Sequence, residues 1–231
     1  MAKTLKKKII ISLIFLGATV CGITMGAFLS LTHDLPQIRS LENYRPSAVT
    51  RIYSADKVLL TELFQEKRKP VPIEVIPKYL KSALVATEDR SFYKHSGIDL
   101  KGVFRAIIKD LWAGEFVEGA STITQQLAKT LFLTPKKSLI RKIKEAILAF
   151  QLERRYTKDE ILELYLNQVY FGSGAYGVES AADLFFGKSV KDLNLSESAL
   201  IAAMPKAPSR YSPLINRTLA IKRRNMVLKQ M

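Results

Sequence analysis

Residues 88–97 read EDRSFYKHSG, and residues 119–126, which begin 22 positions after the first stretch ends, read GASTITQQ. A stripe of apolar residues at helical spacing leads into the first stretch: Ile76, Leu80, Leu84 and Val85. It predicts a helix over 73–88 that ends at the acid pair Glu88 and Asp89. The second stretch predicts a new helix with Ser121 as its N-cap. A carboxylate pair beside a helix start rich in hydroxyls and amides suits a site that handles sugars.

The rest of the chain extends this helical pattern. Apolar periodicity predicts helices over 99–113, 121–133, 138–155, 158–169, 176–185, 196–204 and 217–230. Thr157 with Glu160, and Asn194 with Glu197, have the spacing of capping boxes. Residues 48–64 alternate around a Ser-Ala-Asp-Lys turn and predict a β-hairpin, whereas everything beyond Pro72 is predicted to be helical. The fold class is therefore mainly α with one short β-hairpin.

The N-terminal segment predicts a membrane anchor. Residues 9–31 carry no charge, and as a helix they would extend about 35 Å, enough to cross a bilayer core of about 30 Å. Four lysines and no acids precede them, which favours a cytoplasmic tail over 1–8 and a domain on the outer face. Residues 32–47 are predicted to form a stalk, and 48–231 the domain itself. The alternative, a cleaved signal peptide, needs a shorter apolar core of about 7–15 residues.

Composition limits the classes of partner. The 231 residues carry 36 Lys and Arg, and the 32 that lie outside the N-terminal segment exceed the 21 Asp and Glu by 11. Such a surface attracts anionic lipid, phosphate or nucleic acid. The basic residues are scattered and no nucleic-acid-binding motif occurs, so nucleic acid is not expected as a partner. Cys21 is the single cysteine of the sequence, which excludes a disulfide within the chain.

Glu88 is the first candidate for chemistry. A carboxylate held against the apolar side of a helix has its pKa raised towards the range useful for proton transfer, which makes Glu88 a candidate general base or acid. The alternative is an exposed helix end paired with Arg90. His95 has no metal-ligating partner at helical spacing, so we expect it to steady the loop after Glu88 by hydrogen bonding.

A second acidic candidate lies among cations. Lys137, Arg141 and Lys142 precede Glu145, and an apolar stripe of Ile140, Ile143, Ile147 and Phe150 points away from it. Apolar residues also flank Glu145 itself, so this helix is predicted to run through the domain interior. The cations suit a diphosphate group. Further along, Glu163 and Asn167 share one helix face at i, i+4 and are interpreted as scaffold.

The aromatic segment between the first two stretches has two open interpretations. It contains Phe104, Leu111, Trp112, Phe116 and Val117, mixed with Lys101, Arg105 and Lys109. In an ordinary soluble domain these apolar residues would form core. On a membrane-anchored chain they could instead dip into the headgroup layer.

Five motifs occur in the order typical of one family. The stretches at 88–97 and 119–126, Arg-Lys-x-x-Glu at 141–145, the run 158–177 and the run 202–208 resemble the motifs of the peptidoglycan glycosyltransferases, glycosyltransferase family 51. These are found in class A penicillin-binding proteins and their monofunctional relatives. The resemblance implies a lysozyme-like helical lobe, a small membrane-proximal jaw, and polymerisation of lipid II into β-1,4 glycan with inversion and release of undecaprenyl diphosphate.

The resemblance and the residue patterns together assign roles. The catalytic candidates are Glu88 and Glu145. The substrate-binding candidates are Asp89, Phe92, Ser121, Thr122, Gln125, Gln126, Lys129, Lys137, Arg141 and Lys142. The residues expected to support the site are His95, Gly97, Glu163 and Asn167. No organic cofactor and no dedicated metal cage are expected; a divalent cation such as Mg²⁺ or Mn²⁺ would be shared between Glu145 and the substrate diphosphate.

The implied partners are lipid II, the growing lipid-linked glycan, the bacterial cytoplasmic membrane and other cell-wall synthesis proteins. Two rival functions stay open: a lysozyme or lytic transglycosylase, and a noncatalytic anchored module that binds anionic polymers. Hydrolysis of a neutral glycan gives no reason for the cations around Glu145, and a binding module gives none for Glu88. The sequence also leaves open whether the protein is monofunctional or the front part of a bifunctional one.

Overall fold

A computed structural model describes residues 2–33, 35–36, 50–63, 67–114, 119–136 and 138–231. Its helices are α1 (Ala2–His33), α2 (Lys78–Glu88), α3 (Leu100–Ala113), α4 (Ile123–Phe132), α5 (Leu139–Arg155), α6 (Lys158–Gln168), α7 (Val178–Phe186), α8 (Leu195–Ala203), α9 (Pro208–Tyr211) and α10 (Arg217–Gln230). Its strands are β1 (Thr50–Tyr53), β2 (Leu59–Leu63), β3 (Lys67–Arg68), β4 (Tyr170–Gly172) and β5 (Ala175–Tyr176). The predicted mainly α fold with a short β-hairpin is confirmed.

One face of α2 lies in the hydrophobic core. This helix packs against α8 and α10 on one side, while α4 packs against α5 and α6. Leu80, Ala83 and Leu84 of α2 are fully buried, at the positions that the helical stripe predicts. Because α2 is fixed along its length by this packing, its last residue, Glu88, has a defined position at the rim of the core.

The two sheets are small. β1 and β2 form the predicted antiparallel hairpin, with a register shift between Ile52 and Tyr53. β5 lies between β3, to which it runs parallel, and β4, to which it is antiparallel. The prediction that the chain beyond Pro72 is wholly helical is therefore wrong at residues 170–176. Of these two strands, β5 pairs with β3, about a hundred residues earlier, and local sequence patterns do not report so distant a partner.

The N-terminal helix α1 has 32 residues. Within the described part of the chain, no helix is both long enough and apolar enough to cross a membrane. The membrane span over 9–31 stays a prediction, as do the domain boundaries. Most of the predicted stalk, residues 34 and 37–47, lies outside the described residues.

Helix α5 departs from its predicted environment. Glu145, Leu148 and Leu152 face the core, whereas the opposite stripe, with Ile140 and Ile143, is exposed. The helix therefore lies on the surface of the lobe instead of running through its interior. Helix α5 has two apolar stripes, and the one with the more regular helical spacing, which contains Ile140 and Ile143, is the exposed one.

Helix α3 decides one of the open interpretations. Leu111 is 76% exposed and Trp112 90% exposed, and Phe104 also projects from the surface. The interpretation of these residues as core is wrong, because no described element covers this face. Phe116 and Val117, from the same predicted segment, lie outside the described residues.

The helix caps agree with the sequence at two of three positions. The predicted capping boxes at Thr157 and Asn194 are both formed. At α4 the N-cap is Thr122, whose side chain accepts from the backbone N–H of Gln125, and not Ser121 as predicted. The shift of one residue matters because it turns Thr122 inward and leaves Ser121 beside the cleft.

Candidate active site

Glu88 ends α2 at the wall of a polar cleft. Its Oε2 accepts a hydrogen bond of 2.9 Å from Nε2 of Gln126, a residue of α4. Burial raises the pKa of the Glu88 carboxyl above its ordinary value, because the ionised form loses hydration. The hydrogen bond from Gln126 and the charges of Arg223, Lys206 and Lys129 act in the opposite direction. Glu88 is thus a carboxylate of raised basicity that still has cations to stabilise its ionised form.

Gln126 is itself held by a buried tyrosine. The hydroxyl of Tyr165, on α6, donates to Oε1 of Gln126 at 3.2 Å. A phenol that donates to the amide oxygen leaves the NH₂ group to face Glu88, which fixes which end of the amide points into the cleft.

The loop after Glu88 is tied to the start of α4. Asp89 accepts from the backbone N–H of Ile123 at 3.0 Å and contacts Nε2 of His95 at 3.0 Å. The backbone N–H of Gly97 donates to Nδ1 of the same histidine. His95 therefore holds its proton on Nε2 and donates it to Asp89. Both carboxylate oxygens of Asp89 are engaged inside the protein, although the residue also lines the cleft.

Gly97 closes this loop against α5. Its φ is +95°, and a Cβ at this position would lie 2.9 Å from the backbone carbonyl of Ala149. The hydroxyl of Thr122 donates to the carbonyl oxygen of Gly97 at 2.6 Å. Only a residue without a side chain fits this approach of loop to helix.

Three predicted substrate contacts are buried. Phe92 is fully buried, with the Lys158 ammonium 4.5 Å from its ring centroid, so it belongs to the core and has no surface to offer a substrate. Thr122 and Gln125 are also buried and spend their polar groups on the capping box of α4. Phe92 and Gln125 support the cleft wall from behind, whereas Asp89 and Thr122 line the cleft with side-chain oxygens already engaged within the protein.

Glu145 reaches the cleft from α5. It is 3% exposed, and its Oε2 accepts from Lys142 Nζ at 2.8 Å. The same ammonium donates to the hydroxyl of Ser121 at 2.7 Å. Arg141 Nε lies 3.4 Å from Oε1 of Glu145, close enough for an ion pair but without hydrogen-bond geometry, and that oxygen has no hydrogen-bond partner. Glu145 thus lines the cleft with one oxygen bound to Lys142 and a buried second oxygen that keeps spare acceptor capacity.

Two cavities meet at Glu88. The smaller, of about 240 Å³, is lined by Glu88, Ser121, Gln126, Lys129, Glu145, Pro205 and Lys206. The larger, of about 730 Å³, shares Glu88, Ser121, Gln126 and Lys206 with the first and extends past Arg90, Arg105, Lys109 and Arg223. Both cavities present cations around one carboxylate of raised pKa. This arrangement suits anionic groups bound on either side of Glu88.

The structure adds residues that the sequence interpretation did not select. Lys206 follows α8 and lines both cavities, and Arg223 of α10 is buried with its Nε unpartnered. Their signals were faint: Lys206 lies in the fifth motif, and Arg223 is one cation in a basic run. Tyr165 looked like an ordinary core position of α6. Lys137, a predicted phosphate contact, lies outside the described residues.

Glu163 and Asn167 hold the segment that leads into α2. Glu163 Oε2 accepts from the backbone N–H of Ile73 at 2.7 Å. The amide of Asn167 pairs with both backbone groups of Val71, at 3.0 and 2.8 Å. These bonds fix the segment that leads into α2, and neither residue lines the two cavities described above, which fits a scaffold role.

The carboxylates of the cleft do not form a metal cage by themselves. Among the described residues, no group of three or more His, Cys, Asp or Glu side chains could hold an ion. Glu145 lies beside two cations, which compete with a divalent metal for its oxygens. A cation would need most of its ligands from a bound substrate.

Comparisons with known proteins give a consistent result. A family model described as Transglycosylase matches residues 56–231. Penicillin-binding protein 1A of Aquifex aeolicus (strain VF5) is 48% identical over 219 residues, which are 92% of this chain and 30% of that protein. Penicillin-binding protein 1A of Escherichia coli (strain K12) is 46% identical over 94% of this chain and 26% of its own length. Penicillin-binding protein 1F of Bacillus subtilis (strain 168) is 46% identical over 100% of this chain and 32% of its own length.

Among solved structures, the crystal structure of penicillin-binding protein 1A from Haemophilus influenzae matches with a TM-score of 0.45 at 29% identity, over 81% of this chain and 18% of that one. The chain spans about a quarter to a third of the length of the curated relatives named above.

Proposed function

Because this chain belongs to the Transglycosylase family, we propose that it is a peptidoglycan glycosyltransferase that polymerises lipid II into β-1,4-linked glycan and releases undecaprenyl diphosphate. The observation that carries the proposal is Glu88, a carboxylate of raised pKa at the junction of two cation-lined cavities. The five motifs lie within the residues that the family model matches, 56–231, and the penicillin-binding proteins among the relatives add support.

Glu88 acts as the general base. Its carboxylate accepts the proton of the acceptor 4-hydroxyl while that oxygen attacks the anomeric carbon of the donor. A raised pKa makes the carboxylate a better proton acceptor, and the nearby cations keep it ionised between turnovers. A single displacement inverts the anomeric centre, which turns an α-linked lipid diphosphate into a β-1,4 linkage.

The leaving diphosphate gains negative charge as its bond to the sugar breaks. Lys129, Arg141 and Lys142 lie around the smaller cavity or on its Glu145 wall, and they stabilise that charge. Lys137 stays a prediction for the same role. We assign the donor to the smaller cavity and the acceptor to the larger one, since the former contains Glu145 and the Lys129 ammonium.

Glu145 orients the diphosphate or its cation. Glu145 lines the smaller cavity, and its Oε1 has no hydrogen-bond partner; a side-chain rotation that exposed this oxygen would let it accept a hydrogen bond from a substrate hydroxyl or share a Mg²⁺ or Mn²⁺ ion brought by the substrate. The residues present do not hold such an ion alone, so none of the steps above depends on it. The requirement for a cation stays a prediction.

The exposed apolar faces suit a membrane-proximal jaw. On α3 they comprise Leu100, Phe104, Ile107, Ile108, Leu111 and Trp112, and on α5 they comprise Leu139, Ile140 and Ile143. Helix α1 approaches α5. We propose that residues 9–31 anchor the chain in the bacterial cytoplasmic membrane, that the domain lies on its outer face, and that these apolar side chains dip into the bilayer that holds the substrate lipid.

The experiment is polymerisation of lipid II by the purified chain in detergent. We expect a glycan product that a muramidase digests, together with one undecaprenyl diphosphate released for each glycosidic bond formed. A lytic enzyme would instead shorten added glycan strands, and a binding module would retain lipid II without turnover. Either of these results would overturn the proposal. Association with other cell-wall synthesis proteins stays a prediction.

A further inference from the structure

We infer that Tyr165 is a positioning residue for the reaction, acting on Glu88 through the side-chain amide of Gln126. The three side chains form one hydrogen-bonded chain across α6, α4 and α2: Tyr165 Oη to Gln126 Oε1 at 3.2 Å, then Gln126 Nε2 to Glu88 Oε2 at 2.9 Å. This inference rests on the proposed function, because it assigns a task to Tyr165 within that reaction.

The direction of the chain follows from the tyrosine. Its side chain is almost completely buried in the core, beside the fully buried Ile161 and Leu162. Burial, and secondarily the charge of Glu88, raise the pKa of the Tyr165 hydroxyl well above its ordinary value. The hydroxyl therefore stays protonated across the working pH range and donates to the amide oxygen at all times.

The amide has two orientations with opposite effects on Glu88. With its oxygen held by Tyr165, Gln126 presents N–H to the carboxylate and stabilises the ionised, proton-accepting form. If the amide turned, its oxygen would face the carboxylate and repel that form. The buried hydroxyl removes the second orientation, so the base is aligned and ionised before the acceptor arrives.

Other charges face the same carboxylate and act independently of Tyr165. They are Lys129 from α4, Glu145 and Lys142 from α5, Lys206 after α8, Arg223 from α10 and Asp89 in the adjoining loop. None of them forms a hydrogen bond to Tyr165 or to the Gln126 amide in the described part of the chain. A test must therefore separate the effect of the Tyr165 hydroxyl on Glu88 from the effect of these charges.

The first variant is Tyr165→Phe, which keeps the ring and removes the donor. We expect kcat/KM at neutral pH to fall on the order of tenfold, because without the hydroxyl the amide can turn and the Gln126 hydrogen bond to the charged Glu88 carboxylate is lost. The acid limb of the pH profile should move to higher pH, because Glu88 then holds its proton more tightly. Activity should recover as the pH is raised.

Thr124→Val is the matched control. Thr124 is also fully buried, lies on α4, and donates its hydroxyl to Glu153 at 2.6 Å without contacting Glu88. This variant should lower the thermal midpoint while leaving the acid limb in place. If Tyr165→Phe only lowered the thermal midpoint, or gave a pH profile of activity that superimposes on that of the wild type, the positioning role would be overturned.

A double-variant cycle tests the route through Gln126. Gln126→Leu should move the acid limb at least as far as Tyr165→Phe does, and adding Tyr165→Phe to it should move the limb no further. Equal shifts in both backgrounds would overturn a relay through the amide. The cycle stays informative if either single variant is less stable, because the shift caused by Tyr165→Phe is measured separately with Gln126 present and with Leu in its place.

A readout that does not need turnover separates this inference from the proposed function. The ¹³C signal of the Glu88 carboxyl, identified by its loss in Glu88→Gln, should titrate at higher pH in Tyr165→Phe than in the wild type. A shifted titration without glycan synthesis by the wild type would defeat the proposed function alone. Normal synthesis with an unshifted titration would defeat the relay alone.

Discussion

Helices α3 and α4 carry similar amphipathic patterns and end in opposite environments. The apolar face of α4, with Ile123 and Leu127, is fully buried against α5 and α6. The apolar face of α3 projects outward, and Trp112 near its end is 90% exposed. The comparison shows that helical periodicity identifies the apolar face of a helix but not what covers that face. Protein covers the apolar face of α4, and in our proposal lipid covers that of α3.

The two helices also contribute to the cleft in different ways. α4 supplies Gln126 and Lys129, whose positions are fixed by the packed face behind them. α3 supplies Arg105 and Lys109 to the rim of the larger cavity from a helix with little packing. We therefore expect changes on the α4 side to affect chemistry and changes on the α3 side to affect binding to membranes.

The largest effect is expected for Glu88→Gln, which changes the residue at the end of α2, where the packed helix meets the cleft. Polymerisation should fall by about 10²–10⁴-fold, because an amide cannot accept the acceptor proton. The raised pKa of Glu88 means that folding favours its protonated form, so the ionised group destabilises the fold as the pH rises through that pKa. The variant should accordingly melt higher than the wild type at neutral pH, and the gain should vanish in acid.

Glu74→Gln is the control for that experiment, since Glu74 is exposed and lies before α2. It should leave both activity and melting unchanged. Near-normal glycan synthesis by Glu88→Gln would remove Glu88 from its role as base.

The next effect concerns the donor cavity. Glu145→Gln should lower kcat on the order of a hundredfold, because the ion pairs that hold Lys142 and Arg141 in position for the leaving diphosphate are lost. Lys129→Ala should raise KM for lipid II by about tenfold through a lost charge-assisted contact. Steady-state kinetics of Lys229→Ala, at an exposed lysine of α10, give the baseline. Equal constants for the two lysine variants would refute the diphosphate assignment to Lys129.

On the α3 side, we expect vesicle binding to survive salt. A chain that starts near residue 41 should stay bound to anionic vesicles at about 1 M salt, where the screening length is about 3 Å, because inserted apolar side chains do not depend on charge. Changing both Phe104 and Trp112 to Ser should release it, with polymerisation in detergent reduced less than twofold.

Leu214→Ser provides the comparison, because Leu214 is similarly exposed but lies between α9 and α10. Sedimentation with vesicles measures all three proteins. Complete release of the unsubstituted chain by salt would mean that charge alone binds it to the vesicles. The proposal that lipid covers the apolar face of α3 would then be wrong.

The smallest effect is expected for Lys206→Met. The Lys206 charge lowers the pKa of Glu88, so its removal should raise that pKa and move the acid limb of the pH profile upward. At alkaline pH the activity should approach that of the wild type. Lys191→Met, at an exposed lysine of a 3₁₀ turn outside the cleft, should leave the profile unchanged. Identical profiles for the two variants would show that Lys206 does not act on Glu88.

Much of the helical fold follows from local patterns. The helix starts at Thr157 and Asn194 were predictable because capping boxes use residues three positions apart. The three-stranded sheet was not, since β3 meets β5 across about a hundred residues of chain. Ser121 was assigned the cap that Thr122 forms, because both residues have a hydroxyl and the choice depends on where Gly97 lies.

By itself, the sequence determined the helix periods, the order of the motifs and the presence of two acidic residues among cations, because each of these depends on neighbours along the chain. The tertiary structure alone decided that Phe92, Thr122 and Gln125 turn inward and that Lys206 and Arg223 reach the cleft. It also decided that a core tyrosine holds the amide beside Glu88. The physical reason is that the environment of a side chain, and with it its pKa and its hydrogen bonds, is set by elements that pack in space.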